Sequence, residues 1–282
     1  MIPRSRALWL VALLVVACGR EPALVRQMQK VKLVHATRDR LLESVEAEKS
    51  AVLSTTDEES EALAREAQRS ATEINRLRAT LRELVIGDGR REEIEKLGAF
   101  DAAWAELEDV DSRLLALAVA NTNLKATRLS ARDGAAALDR LVDALAEMQR
   151  TASDGDSIRQ LSLAAVAALR VQSLLLLHIP SADNEEMTRL ERQMRDLGDA
   201  IDRVLASLRG TPHASPEQVA KASLAWSEYQ RIMAEVLRLS RENTNVLSFD
   251  VSVHEKRHVT KECLAALAAL LTAVESTPHA TR

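Results

Sequence analysis

His254-Glu255-Lys256-Arg257-His258 spells H-E-x-x-H. On a helix, two histidines four residues apart share a face and can hold a zinc ion, with the glutamate as general base. Glu262 continues that face one turn later and offers a third ligand. Against a protease, Lys256 and Arg257 put positive charge inside the motif, and no strand or separate catalytic segment surrounds it. The segment therefore reads as a solvated helix start, His254 and His258 are not assigned as a metal centre, and no cofactor is expected. Trp104 and Trp226 sit on apolar seams, where a tryptophan is core more often than pocket lining. Asn121, Asn123, Asn243 and Asn245 read as turn formers. Arg65, Arg69, Arg76 and Arg78 read as a solvated face with partners three or four residues away. Cys263, in the apolar run Cys263-Leu264-Ala265-Ala266-Leu267, reads as a buried thiol. No glycine-rich phosphate loop and no Ser-His-Asp order is present, so no enzyme is expected.

The other cysteine has a different setting. Arg4 and Arg6 precede an unbroken apolar run, Ala7 to Ala17, which ends Val15-Val16-Ala17-Cys18. About 11 residues is too short to cross a hydrocarbon core that needs ~20, and the charge order fits a secretory signal. The ending resembles a bacterial lipobox, with Val15 where Leu is commoner. That resemblance implies a diacylglycerol thioether on Cys18, cleavage before it, and a mature chain held at the membrane outside the cytoplasm. Gly19 in place of an acidic residue leans toward the outer membrane rather than the inner.

The chain has 282 residues and a formal charge of −4, which becomes −6 once Arg4 and Arg6 are removed with the signal. This mildly acidic balance argues against a nucleic-acid partner. Aromatic residues make up 2% of the chain and no proline lies between Pro22 and Pro180, a composition that favours long helices.

The elements that would position these residues are helices. Val31, Val34, Leu41, Val45 and Val52 form a 3-4 ladder whose other rungs are Arg38 and Glu48. Thr56 and Glu59 predict a capping box opening the next helix, and Gly87-Asp88-Gly89 predicts its end. Phe100, Trp104, Leu107 and Leu114 mark a third helix, and Leu138, Leu141, Leu145 and Met148 a fourth. Ser153-Asp154-Gly155-Asp156 breaks the chain, and the pattern then restarts. At an offset of 127, Ile74-Asn75-Arg76 falls on Ile201-Asp202-Arg203, and Thr56 and Glu59 fall on Asp183 and Glu186. At an offset of 122, Trp104 falls on Trp226 and Asn121-Thr122-Asn123 on Asn243-Thr244-Asn245. Ser215-Pro216-Glu217-Gln218 opens the third helix of the second half. The chain is a tandem duplication.

The expected fold is all-α, with two tandem up-down-up-down four-helix bundles. The expected boundaries are a lipoprotein signal over 1–17, a lipidated tether over 18–23, one bundle over 24–152, a second over 155–276 and a tail over 277–282. In the order and spacing of its helices, each half resembles the four-helix-bundle sensory module of methyl-accepting chemotaxis receptors and sensor kinases. A second similarity is to helical bimodular receptor domains, which stack two bundles on shared long helices; the break at Asp154-Gly155 favours separate bundles. Receptors of this kind continue through a membrane helix into a cytoplasmic relay domain, and neither is expected here. The resemblance implies an extracytoplasmic sensory or accessory module, anchored to the membrane through Cys18, that binds a small ligand or a partner's helices. It would act through a separate transmembrane receptor or kinase, with a homodimer as a further partner. A structural envelope scaffold without ligand, and a periplasmic metal-binding protein, are the alternatives.

Overall fold

The computed structural model describes the backbone of residues 5–210 and 214–276, and the side chains of residues 23–210 and 214–276. The side chains of the signal segment, including Cys18, and the tail at 277–282 lie outside the described residues. Among those described the chain is all-α, with no strand. In chain order the helices are α1 (Ser5–Leu53), α2 (Asp57–Asp88), α3 (Arg91–Ala120), α4 (Thr122–Leu129), α5 (Ala135–Thr151), α6 (Gly155–His178), α7 (Asn184–Ser207), α8 (Pro216–Glu242), α9 (Thr244–Val251) and α10 (Arg257–Glu275). A π-helical turn joins α4 to α5 at Ser130–Gly134, and another joins α9 to α10 at Ser252–Lys256. The two turns lie 122 residues apart, the offset of the repeat.

Side-chain caps set where the helices begin. Thr56 accepts the Glu59 N–H at 3.2 Å, and Asp57, Glu58 and Glu59 place negative charge at the positive end of α2. Gly89, at φ 65°, closes α2 by donating to the Val85 and Ile86 carbonyls. Ser215 and Gln218 form the reciprocal box expected at α8, with Pro216 in the first turn. Asp183 caps α7 through the Glu185 N–H at 2.8 Å, one residue earlier than the Glu186 pairing expected.

The helices gather into two compact units. Unit 1 comprises residues 1–119 and 248–282, and unit 2 comprises residues 120–247. Unit 1 is built from α1, α2, α3 and α10, around Leu41, Ile74, Leu81, Phe100, Trp104 and Leu270. Unit 2 is built from α4–α5, α6, α7 and α8, around Leu141, Met148, Val171, Met194, Ile201 and Trp226. By length and composition α6 is the one described helix that could cross a membrane; its Leu161, Ala168, Val171 and Leu175 are packed in the core of unit 2.

These unit boundaries correct the tandem bundles expected over 24–152 and 155–276. The first three helices of each repeat stay together, but the fourth helices are exchanged. Unit 1 is completed by α10, which belongs to the second repeat, and unit 2 by α4–α5, which belong to the first. The chain thus enters unit 2 after α3 and returns within α9, the connectivity of the bimodular resemblance rather than that of tandem bundles. The physical reason lies in the duplicated Asn-Thr-Asn. Asn121 and Asn243 adopt left-handed backbone, at φ 50° and 53°, a conformation that asparagine tolerates better than most residues. The expected turn is this single residue, and helix resumes at once with new N–H groups to satisfy. Each start is capped by the other. The Thr122 N–H donates to Thr244 Oγ1 at 3.0 Å, and the Thr244 N–H to Thr122 Oγ1 at 3.1 Å. The Asn123 N–H donates to Asn245 Oδ1 at 3.1 Å, and the Asn245 N–H to Asn123 Oδ1 at 3.2 Å. Asn123 Nδ2 bonds Asn243 Oδ1 at 2.7 Å, and Asn245 Nδ2 bonds Asn121 Oδ1 at 2.9 Å.

Thr122→Val and Thr244→Val should each destabilise the chain by about 1 kcal/mol in urea denaturation, the usual cost of a lost cap. Because each threonine serves the other, the double variant should fall short of the sum by about 0.5 kcal/mol or more, whereas additive losses would contradict reciprocal capping.

Candidate functional site

In unit 1 a charged cluster interrupts the apolar seam. Glu48 lies on α1, on the ladder whose other rungs are mostly valine and leucine; Asp111 lies on α3, and Lys256 ends the second π-helical turn. All three are buried, at 1%, 8% and 2% exposure. Lys256 Nζ makes ion pairs with both Glu48 and Asp111. Ser44, one turn before Glu48, donates to Glu48 Oε1 at 2.9 Å. Burial, with the nearby Glu108 charge, pushes the Asp111 carboxyl up to about 8, and burial draws the Lys256 ammonium down to about 7. Two carboxylates thus face one ammonium. Cys263, about two turns further along α10, is fully buried and pushed up to about 12 by burial, then by Asp111; it is the inert core thiol expected.

Two grooves flank this cluster. One, of about 410 Å³, is lined by Val45, Val52 and Leu53 of α1, by Phe249 and Val253, and by the basic residues Lys49, Lys256 and Arg257. The other, of about 490 Å³, is lined by Glu48, Glu108 and Asp111 among small apolar residues of α2 and α3. Both fall in the size range of small-molecule sites, ~300–1,000 Å³. A π-helical turn sits in the wall of the first groove, a placement common at functional sites.

The residues singled out by the sequence lie elsewhere or play other parts. His254 and His258 are exposed, and each pairs along its own helix, with Asp250 at 3.0 Å and with Glu262 at 3.2 Å. Glu255 accepts two hydrogen bonds from Arg113, at 2.5 and 3.2 Å. Among the described residues no group of three or more His, Cys, Asp and Glu is placed to hold a metal ion. Trp104 and Trp226 are both buried core residues, and each indole is bonded to the duplicated Asx position on the second helix of its repeat: Trp104 Nε1 to Asn75 at 3.0 Å, Trp226 Nε1 to Asp202 at 2.8 Å. Arg65 pairs with Glu61 and Arg76 with Glu73, while Arg69 bonds the Arg65 carbonyl. Arg78 bonds Asp101 and Asn75 and helps fix the second helix to the third.

Lys256 was missed because the eye goes to the two histidines around it; the signal that could have found it was Glu48, a lone acid on an apolar ladder that demands a buried partner. Lys30 was missed in the same way and is buried against Glu93 at 2.5 Å and Asp88 at 2.8 Å. In unit 2, His178 joins Ser240 at 2.8 Å and Glu191 at 3.0 Å, and Arg241 bonds Glu191 at 2.6 Å. Burial lowers the His178 imidazole below its usual value, and the Glu191 bond opposes this in part. Although the residue types are those of a nucleophile chain, His178 and Ser240 are fully buried and line none of the grooves described, so the chain ties α6 to α7 and α8.

Residues 25–157 match the family model described as the four helix bundle sensory module for signal transduction. The sensory-module match supports the resemblance to chemoreceptor sensory domains, and it spans the first repeat from α1 to the first turn of α6. Its fourth helix is therefore α4–α5, which this chain places in unit 2, while α10 takes the corresponding place in unit 1. No curated protein and no solved structure matches the chain.

Lys256→Met should destabilise unit 1 by about 3–5 kcal/mol in urea denaturation, since it leaves Glu48 and Asp111 buried together without a counter-charge. Adding Glu48→Gln should recover part of that loss; a near-neutral Lys256→Met would contradict the buried ion pairs.

Proposed function

We propose that the chain is an extracytoplasmic sensory or accessory module, anchored to the membrane by lipid on Cys18, that binds a small ligand in unit 1 and acts through a separate transmembrane receptor or kinase. The observation that carries this reading is the buried Lys256–Glu48–Asp111 cluster flanked by two grooves, in a chain whose first repeat matches a sensory module for signal transduction. The cluster joins α1, α3 and the π-helical turn before α10 through buried charges. A ligand that pairs with Lys256, or supplies charge to the carboxylates, changes the energy of that junction, and packed helices respond to such changes by small shifts between discrete arrangements. In this reading the role is binding rather than catalysis. The address follows from the lipobox resemblance: a periplasmic face, with the outer membrane favoured over the inner.

In cell fractionation, wild-type chain should partition with membranes and incorporate palmitate label, and Cys18→Ala should lose both. Affinity purification from cross-linked membranes should recover a transmembrane receptor or kinase. Persistent recovery of the chain without any such partner would contradict the accessory role and favour an envelope scaffold.

A further inference from the structure

The duplication places a second groove in unit 2 that overlaps the positions equivalent to the first groove of unit 1. Leu176, Ile179 and Pro180 stand 127 residues beyond Lys49, Val52 and Leu53, and Thr127 stands 122 residues before Phe249. The two grooves have similar volumes, about 410 and 400 Å³. They differ in charge. Lys49, Lys256 and Arg257 correspond to Leu176, Gly134 and Ala135, so all three cations of the unit 1 groove are replaced by residues without charge.

The unit 1 groove is both apolar and cationic. Leu53, Phe249 and Val253 expose 68%, 53% and 38% of their surface around it, an apolar patch on a surface otherwise rich in charge. Among the described residues no carboxylate lines it. Lys49 and Arg257 are exposed and have no acidic partner among the described residues. Thr260 Oγ1, also in the lining, is buried without a hydrogen-bond partner among them. Unspent positive charge beside an apolar trough selects a molecule with one anionic end and a hydrocarbon body.

We propose that the groove between α1 and α9–α10 binds an aliphatic carboxylate, its charge held by Lys49 and Arg257 and its chain laid along Val52, Leu53, Phe249 and Val253. The proposal rests on reading unit 1 as the ligand-binding part of a sensory module and names the ligand class. The uncharged groove of unit 2 does not share the preference for an anion.

The test is photolabelling of the full chain with a diazirine analogue of octanoate, mapped by mass spectrometry. Label is expected on residues 45–53 and 249–260, displaced by octanoate and about tenfold less effectively by octanol or succinate. Lys49→Glu with Arg257→Glu should cut this labelling by about tenfold, with an unchanged circular-dichroism melt, and Lys49→Arg should retain it. Equal competition by octanol, or undiminished labelling of the charge-reversed variant, would overturn the proposal. Protection by phosphatidylglycerol vesicles in preference to octanoate would also overturn it and assign the groove to a lipid headgroup. Absence of label in a chain that still recovers its receptor removes the ligand class alone; recovery of label without any receptor removes the accessory role alone.

Discussion

The reciprocal bonds between Asn121-Thr122-Asn123 and Asn243-Thr244-Asn245 decide what the rest of the chain can be. A helix that stops on one left-handed residue and starts again leaves backbone N–H groups in need of acceptors. Here the threonine hydroxyl and asparagine carbonyl of each copy supply them to the other, so the two segments are complete only as a pair. The same side chains reach the turn after α6: Asn123 Nδ2 donates to the Ile179 carbonyl at 2.6 Å and Asn243 Nδ2 to the Ser181 carbonyl at 3.0 Å. A duplicated sequence makes such self-complementary contact easy, for the reason that identical subunits make isologous interfaces: one solution for a residue serves its counterpart. Once the pair is formed, α4–α5 belong to unit 2 and the chain can return to complete unit 1.

Duplication also let the two units diverge where packing did not forbid it. The Trp-to-Asx bond persists in both, because a buried indole N–H needs an acceptor wherever it lies. Beneath the grooves the halves parted. Glu48, Asp111 and Lys256 of unit 1 correspond to Leu175, Met233 and Gly134 of unit 2. The space that a side chain at Gly134 would occupy lies near Ile232 and Gln172, and Gln172 accepts from Tyr229 at 2.7 Å and donates to Ser130 at 3.1 Å. Unit 2 fills the position with neutral, satisfied contacts. Unit 1 keeps buried ion pairs there, whose desolvation is costly for a bundle that needed only to stand.

Much of this was legible in the sequence. The helical ladders, the caps at Thr56 and Ser215, the stop at Gly89 and the duplication itself all rest on local spacing, which the structure keeps. The partner of each fourth helix was not legible. Leu138, Leu141, Leu145 and Met148 fall on Thr260, Cys263, Leu267 and Leu270 at the repeat offset, so α4–α5 and α10 present nearly the same seam and either could complete either bundle. Periodicity says which face is buried; it does not say against what. The break at Asp154-Gly155 pointed to separate bundles, whereas the deciding feature was the duplicated Asn-Thr-Asn, whose meaning depends on a contact 122 residues away. The histidines of H-E-x-x-H drew attention to the exposed face of the helix, while its chemistry-bearing residue, Lys256, points the other way.

The most direct test of the exchanged topology uses Gln27, whose Nε2 donates to the Val274 carbonyl at 2.9 Å. A photo-activatable side chain placed at position 27 of the full chain, with the cross-linked peptides mapped by mass spectrometry, reports which fourth helix lies against α1. The exchange predicts cross-links to the end of α10 around Val274. Cross-links instead to the end of α5 around Ala152, the equivalent position in the first repeat, would show that each repeat closes on its own fourth helix and would contradict the account.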